Sequence, residues 1–327
     1  NHLMDIYVKK AIIHQFSPDD TDLYLADKLL NITPKIEEYL RKKIERVYSD
    51  EARTGIFEED NPFLEMISDD LLETSVAVAN RWKEEFVVSE NQKTNDLVFI
   101  QFSKEGVDHF AFLRIALRET LTHLGGEVDN PIKLTQNNLP GFGTGADEAL
   151  VINLQSRKYH LIEKRIKYNG TFLNYFSENL LQAQPKISPK KSIKALEKTA
   201  QKIAESFNTD DFQFQSKVKS AIFNHIEEEN KLSPEKLADD LFNDNLTARL
   251  SFIDQVKEAV PEPVTFEEID ASRQLKKFEN QKLSLSNGIE LIVPNNVYED
   301  AESVEFILND NGTYSILIKN IEDIQSK

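Results

Sequence analysis

Turn-punctuated β-like runs stand at both ends of this chain, and a long block of helical periodicity stands between them. That order narrows the fold more than any other feature. At the front, Val8–Phe16 and Leu23–Leu30 read as strands around Ser17-Pro18-Asp19-Asp20. Asp96–Phe102 and His109–Arg118 flank a short turn containing Gly106, and Ile132–Thr135 is a short strand. Leu150–Leu154 and Tyr159–Lys167 pair around Gln155-Ser156-Arg157-Lys158. At the far end, Lys282–Leu285 and Ile289–Val293 flank Ser286-Asn287-Gly288, and Val304–Leu308 and Tyr314–Ile318 flank Asn309–Gly312. Asn-Gly between alternating apolar residues is a strong hairpin signal.

Helical spacing dominates elsewhere. Pro34 opens a helix whose stripe is Ile36, Leu40, Ile44 and Val47. Arg41, Lys42, Lys43 and Arg46 take its other side, interleaved with Glu37, Glu38 and Glu45 as i, i+4 pairs. Leu64–Val88 is helical in one or two pieces, and Thr171–Leu181 reads as an apolar-rich helix after Asn169-Gly170. Ser188–Phe207, Asp211–Lys231, Ser233–Phe242 and Leu246–Val260 follow as helices. Two of them begin Ser-Pro, with serine at the cap and proline at the first helical position. The fold class is α+β: N-terminal antiparallel hairpins with helices, a helical segment, and a C-terminal pair of β-hairpins. With 327 residues there is room for two domains. Gln182–Ile187, containing Pro185, is the expected boundary, giving domains 4–184 and 185–327; residues 1–3 precede Met4 and read as an expression remnant.

Gly141, Gly143 and Gly145 alternate before a β-like run. A phosphate-cradling loop needs a helix N-terminus or a lysine after it. Here Asp147 and Glu148 follow instead, so the loop reads as a connection into a strand.

Charge is the more informative signal. The chain carries a net −17, which repels nucleic acid at long range. Yet Val151–Lys202 holds eleven basic residues: Arg157, Lys158, Lys164, Arg165, Lys167, Lys186, Lys190, Lys191, Lys194, Lys198 and Lys202. Against Glu163, Glu178 and Glu197 this is a net of +8, so everything else carries −25. In the helix from Ser188, Ile193, Leu196, Ala200, Ile203 and Phe207 form one face. Lys190, Lys194, Lys198 and Lys202 recur every four residues nearly opposite it. Lys190 and Lys191 sit in the first turn, where the helix dipole disfavours cations. Two readings stay open: a solvated face, and a face presented to a polyanion. A smaller basic site is Arg273, Lys276, Lys277 and Lys282, with Glu279 its only acid.

No catalytic constellation is visible. Cysteine is absent, which removes disulfides, thiolate metal sites and cysteine nucleophiles and suits a reducing cytosol. His14, His109, His123, His160 and His225 are far apart, and no His-Glu-x-x-His or Gly-x-Ser-x-Gly occurs. Asp69-Asp70, Asp210-Asp211 and Asp239-Asp240 sit at helix starts or polar faces. The expectation is a non-enzyme with no cofactor and no metal, and no apolar run is long enough to span a bilayer.

Five landmarks in collinear order carry a resemblance: Ile44-Glu-Arg-Val-Tyr-Ser-Asp50, Gly55-Ile-Phe57, Tyr159–Tyr168, Thr171–Leu181 and Ser272-Arg-Gln-Leu-Lys-Lys-Phe278. Together they resemble the bacterial 37-kDa nucleoid-associated protein family over essentially the whole chain. One departure is Glu279-Asn-Gln-Lys282, where family members carry a glycine-rich run. The resemblance implies a bacterial cytoplasmic protein at the nucleoid that binds DNA without catalysis. The expected partner is double-stranded DNA, met largely independently of sequence through phosphate contacts by the basic residues named above. A homodimer would double that basic surface. The alternative is an acidic adaptor that docks on a DNA-processing protein rather than on DNA.

Overall fold

The computed structural model describes residues 4–87, 93–126, 128–209 and 211–327. Residues 1–3, Val88 and Asp210, named in the readings above, lie outside the described residues. The chain divides into two units, Asn1–Ser188 and Pro189–Lys327.

The first unit runs β1 (Ile6–Ser17), β2 (Asp22–Tyr24), α1 (Pro34–Glu45), β3 (Arg53–Ile56), α2 (Pro62–Glu65), α3 (Leu71–Phe86), β4 (Asn95–Lys104), β5 (Val107–Ala116), β6 (Arg118–His123), β7 (Ile132–Asn138), β8 (Glu148–Asn153), β9 (Lys158–Ile162), β10 (Ile166–Tyr168) and β11 (Thr171–Leu173). Seven strands form one antiparallel sheet in the order β2-β1-β4-β5-β8-β9-β3. Its two faces feed two cores. Leu97, Phe99, Phe112 and Leu150 turn toward Val78, Trp82 and Phe86 of α3. Val98, Ile100, Leu113 and Val151 turn toward Leu40 and Ile44 of α1. Central strands covered on both sides carry apolar residues on both faces, which is why Leu97–Ile100 of β4, Phe110–Leu113 of β5 and Ala149–Ile152 of β8 read as runs rather than as alternation.

Local caps set the helices where the sequence places them. Thr33 Oγ1 accepts from Ile36 N at 3.3 Å ahead of Pro34. Asp70 caps α3 in the same way through Glu73 N.

Two expected elements are corrected. Thr171–Leu181 is not a helix. Asn169 and Gly170 take φ of 46° and 82°, the paired left-handed residues of a tight hairpin turn. The chain therefore returns as β11 along β10, and only Phe176–Leu180 coils, as one π-helical turn. The strand Leu23–Leu30 stops at Tyr24, because the Ala26 N–H is taken by the His14 ring instead of by the β1 backbone.

The second unit runs α4 (Pro189–Ser206), α5 (Phe212–Glu229), β12 (Lys231–Leu232), α6 (Pro234–Leu241), α7 (Leu246–Val256), β13 (Val264–Thr265), α8 (Glu268–Phe278), β14 (Asn280–Ser284), β15 (Glu290–Pro294), α9 (Asn295–Tyr298), β16 (Val304–Leu308) and β17 (Tyr314–Ile318). Asp211, Ser233 and Asn245 cap α5, α6 and α7 through Phe214 N, Lys236 N and Ala248 N. Helix α4 packs on α5 and α7, and α5 on α8. The two hairpins β14–β15 and β16–β17 each stand as a separate two-stranded sheet. Gln281 of β14 is tied to α5 by a bond from Nε2 to Ser216 O at 3.0 Å. Phe207 lies past the end of α4 and is exposed, so it does not extend the buried stripe.

Candidate nucleic-acid interface

The unit boundary falls inside the basic segment. Arg157, Lys158, Lys164, Arg165, Lys167 and Lys186 belong to the first unit; Lys190, Lys191, Lys194, Lys198 and Lys202 belong to the second.

In the first unit the cations do not form one cluster. Lys158 opens β9, and Lys164 lies past its end at Ile162. Arg157 sits 3.7 Å from Glu59. Arg165 donates to Phe172 O at 3.1 Å, holding the β10–β11 hairpin. Lys164 Nζ donates to Asp147 Oδ1 at 2.9 Å. Burial would raise the Asp147 carboxyl, but Lys164 and the Ala116 N–H outweigh it and hold the group below its ordinary value. The Lys186 side chain is exposed, and its backbone N–H donates to Thr54 O at 2.8 Å.

In the second unit the geometry is different. Ser192, Ile193, Leu196, Ala200, Ile203 and Ala204 are the buried residues of α4. At about 100° per residue they share one face, and Lys190, Lys191, Lys194, Lys198 and Lys202 centre on the opposite one. Lys191, Lys194, Lys198 and Lys202 are exposed and Lys190 is half-buried. Glu197 lies between the two faces. Burial pushes its carboxyl up, against the pull of Lys219, Lys277 and Lys194. Those three ammonium groups come from α5, α8 and α4, so one lysine of the α8 site and one of the α4 row act on the same acid. Arg273, Lys276 and Lys277 are exposed and share a helix face at i, i+3 and i+4. Lys282 is exposed on β14. Lys219, which acts on the same acid, is not singled out in the sequence, since nothing in the α5 pattern distinguishes it from a solvated lysine.

The alternating glycines belong to no phosphate cradle. Lys43 is buried and donates to Gly141 O at 2.6 Å and to Thr144 O. Tyr39 Oη donates to Pro140 O at 2.7 Å, and its ring meets Phe142 edge-on. The loop thus aims carbonyls at a cation, the reverse of the N–H array an anion needs. Lys43 is accordingly not part of the polar side of α1; burial and the nearby Arg46 lower it to about 8. Arg41 and Lys42 do pair with Glu37, Glu45 and Glu38.

The sequence model of the nucleoid-associated protein YejK family matches residues 12–324. The chain belongs to that family. No curated protein matches the chain. A nucleoid-associated role goes with membership of the YejK family. In this member, the stretch Ser272–Phe278 is most of α8, and Tyr159–Tyr168 spans β9 and β10. Among the described residues no cluster of three or more His, Asp or Glu is arranged to hold a metal ion, and no helix is long and apolar enough to cross a membrane.

Proposed function

We propose that this nucleoid-associated protein binds double-stranded DNA through the lysine ridge of its second unit. Lys194, Lys198 and Lys202 on α4 form the spine. Lys190 and Lys191 extend it at the helix start, and Lys219, Arg273, Lys276 and Lys277 widen it from α5 and α8. What supports this reading is the row of exposed lysines on α4 opposite its buried face, with Lys219 of α5 and Lys277 of α8 acting on Glu197 of the same helix. Lysines of three helices thus bear on one acid in an otherwise acidic chain. Such a surface contacts phosphates and releases counterions without reading bases. The Arg157–Lys167 residues contribute less, because Lys164 is matched to Asp147 and Arg157 faces Glu59.

A gel-shift titration tests this. Neutralising Lys194, Lys198 and Lys202 to glutamine abolishes or strongly weakens the shift if the ridge is the contact surface. An unchanged shift sinks the assignment.

A further inference from the structure

We infer that a second copy of this chain docks the segment 319–327 into the groove between the two C-terminal hairpins. The groove has a volume of about 910 Å³. Leu283 and Leu291 line it from β14–β15, Phe306, Ile316 and Ile318 line it from β16–β17, and Phe212 of α5 adds a ring. Lys282 is the one cation among the lining residues.

The segment after β17 has the matching chemistry. Ile321 and Ile324 are 53% and 82% exposed. They lie in a stretch without regular secondary structure, and a spacing of three puts them on one side if that stretch coils into a single helical turn on docking. Glu322 and Asp323 stand between them, so two apolar anchors come with two carboxylates for Lys282. Within one copy this match is not made. Lys319 N donates to Ser303 O at 2.8 Å and Asn320 Nδ2 to Glu302 O at 2.9 Å, tying the start of the segment to the chain entering β16. Residues 320–327 are all exposed, and none lines the groove. Reciprocal exchange about a two-fold axis fills both grooves at once, each copy giving its segment and taking the other's. Isolated two-stranded hairpins gain most from such a cover, since alone they are marginal in water.

Charge reversal tests the exchange by light scattering in the absence of DNA, so its outcome is separate from that of the DNA reading. The wild-type protein runs at twice the 37.6 kDa chain mass. Lys282→Glu alone sets Glu against Glu322 and Asp323, and the double variant E322K/D323K sets lysine against Lys282. Each alone dissociates, with association weakened about tenfold or more, or about 1.4 kcal/mol. An equimolar mixture of the two restores the dimer, because each groove then meets a segment of opposite charge. A monomeric wild type, variants that stay dimeric, or a mixture that stays monomeric each overturn the proposal. Monomers throughout would mean that the groove serves its own segment or an unrelated partner.

Discussion

Arg114 and Glu148 meet at 2.6 Å inside the first unit, where their side chains are 3% and 0% exposed. They face each other across β5 and β8. Arg114 also donates to Asn95 Oδ1 at 2.9 Å, and Glu148 accepts from the Tyr175 hydroxyl and from Lys164 N. Trp82 Nε1 donates to Tyr175 Oη at 3.1 Å, which extends the network into α3. Burial opposes the charge on the guanidinium, yet the Glu148 carboxylate holds Arg114 above its ordinary value.

Removing Glu148 leaves the Arg114 guanidinium charged and unmatched in the core, and removing Arg114 strands a carboxyl that burial already pushes up. Glu148→Gln or Arg114→Met each lowers stability by about 3–5 kcal/mol. Urea denaturation reads this loss, and the double variant loses less than the two singles added. Additive losses would show that the residues do not act as a pair.

Acid weakens the first unit through His14. Its Nδ1 accepts from Ala26 N at 2.9 Å, so Nε2 carries the proton and donates to Ser75 Oγ at 2.8 Å. A second proton would abolish the Ala26 bond. Burial lowers the His14 pKa below 6.5, and burial lowers His109 likewise. For a lowered histidine the stabilisation is complete above the unfolded value and is lost as pH falls through the folded one. The urea midpoint therefore declines as pH falls below the ordinary histidine value of 6.5, and His14→Gln flattens that decline. An equal decline in wild type and variant refutes the assignment.

The DNA reading has a quantitative signature. Each phosphate neutralised on B-DNA contributes about −0.9 to the slope of log K against log salt. Changing Lys194, Lys198 and Lys202 to glutamine reduces the slope by roughly 3. Lys164→Gln leaves the slope unaltered, because that ammonium already faces Asp147. Glu197→Gln strengthens binding, since it removes an acid on which Lys194, Lys219 and Lys277 all act. Fluorescence anisotropy over a salt series measures all three.

Glycines of the first unit respond unequally to a methyl group. A Cβ on Gly55 would lie 2.6 Å from Cζ and 2.8 Å from Cε1 of Tyr159, a buried ring. Gly55→Ala costs about 1–3 kcal/mol by overpacking. A Cβ on Gly141 meets nothing within 4 Å, so Gly141→Ala leaves the thermal midpoint unchanged. A large loss at Gly141 would reopen a role for that loop beyond connection.

Short-range chemistry made much of this chain legible from its sequence. Asn287-Gly288 and Asn311-Gly312 close hairpins because their left-handed glycines fit those turns. Asp211 and Ser233 start helices because their side chains satisfy N–H groups three residues on. The lysine row of α4 was visible for the same reason, since a helix repeats every 3.6 residues whatever surrounds it. What needed the tertiary structure lies farther apart in the chain. The apolar residues after Asn169-Gly170 suit a helix by composition, and the backbone of that turn decided for a strand. Lys43 looks like its neighbours Arg41 and Lys42, and only the loop packed beside it turns it into a buried donor. Lys164 faces Asp147 because β8–β9 pairing brings the two together. Lys219 and Lys277 come to act on Glu197 of α4 because α5 packs on both α4 and α8. Charges act through space, so which cations reinforce one another depends on packing rather than on position in the chain.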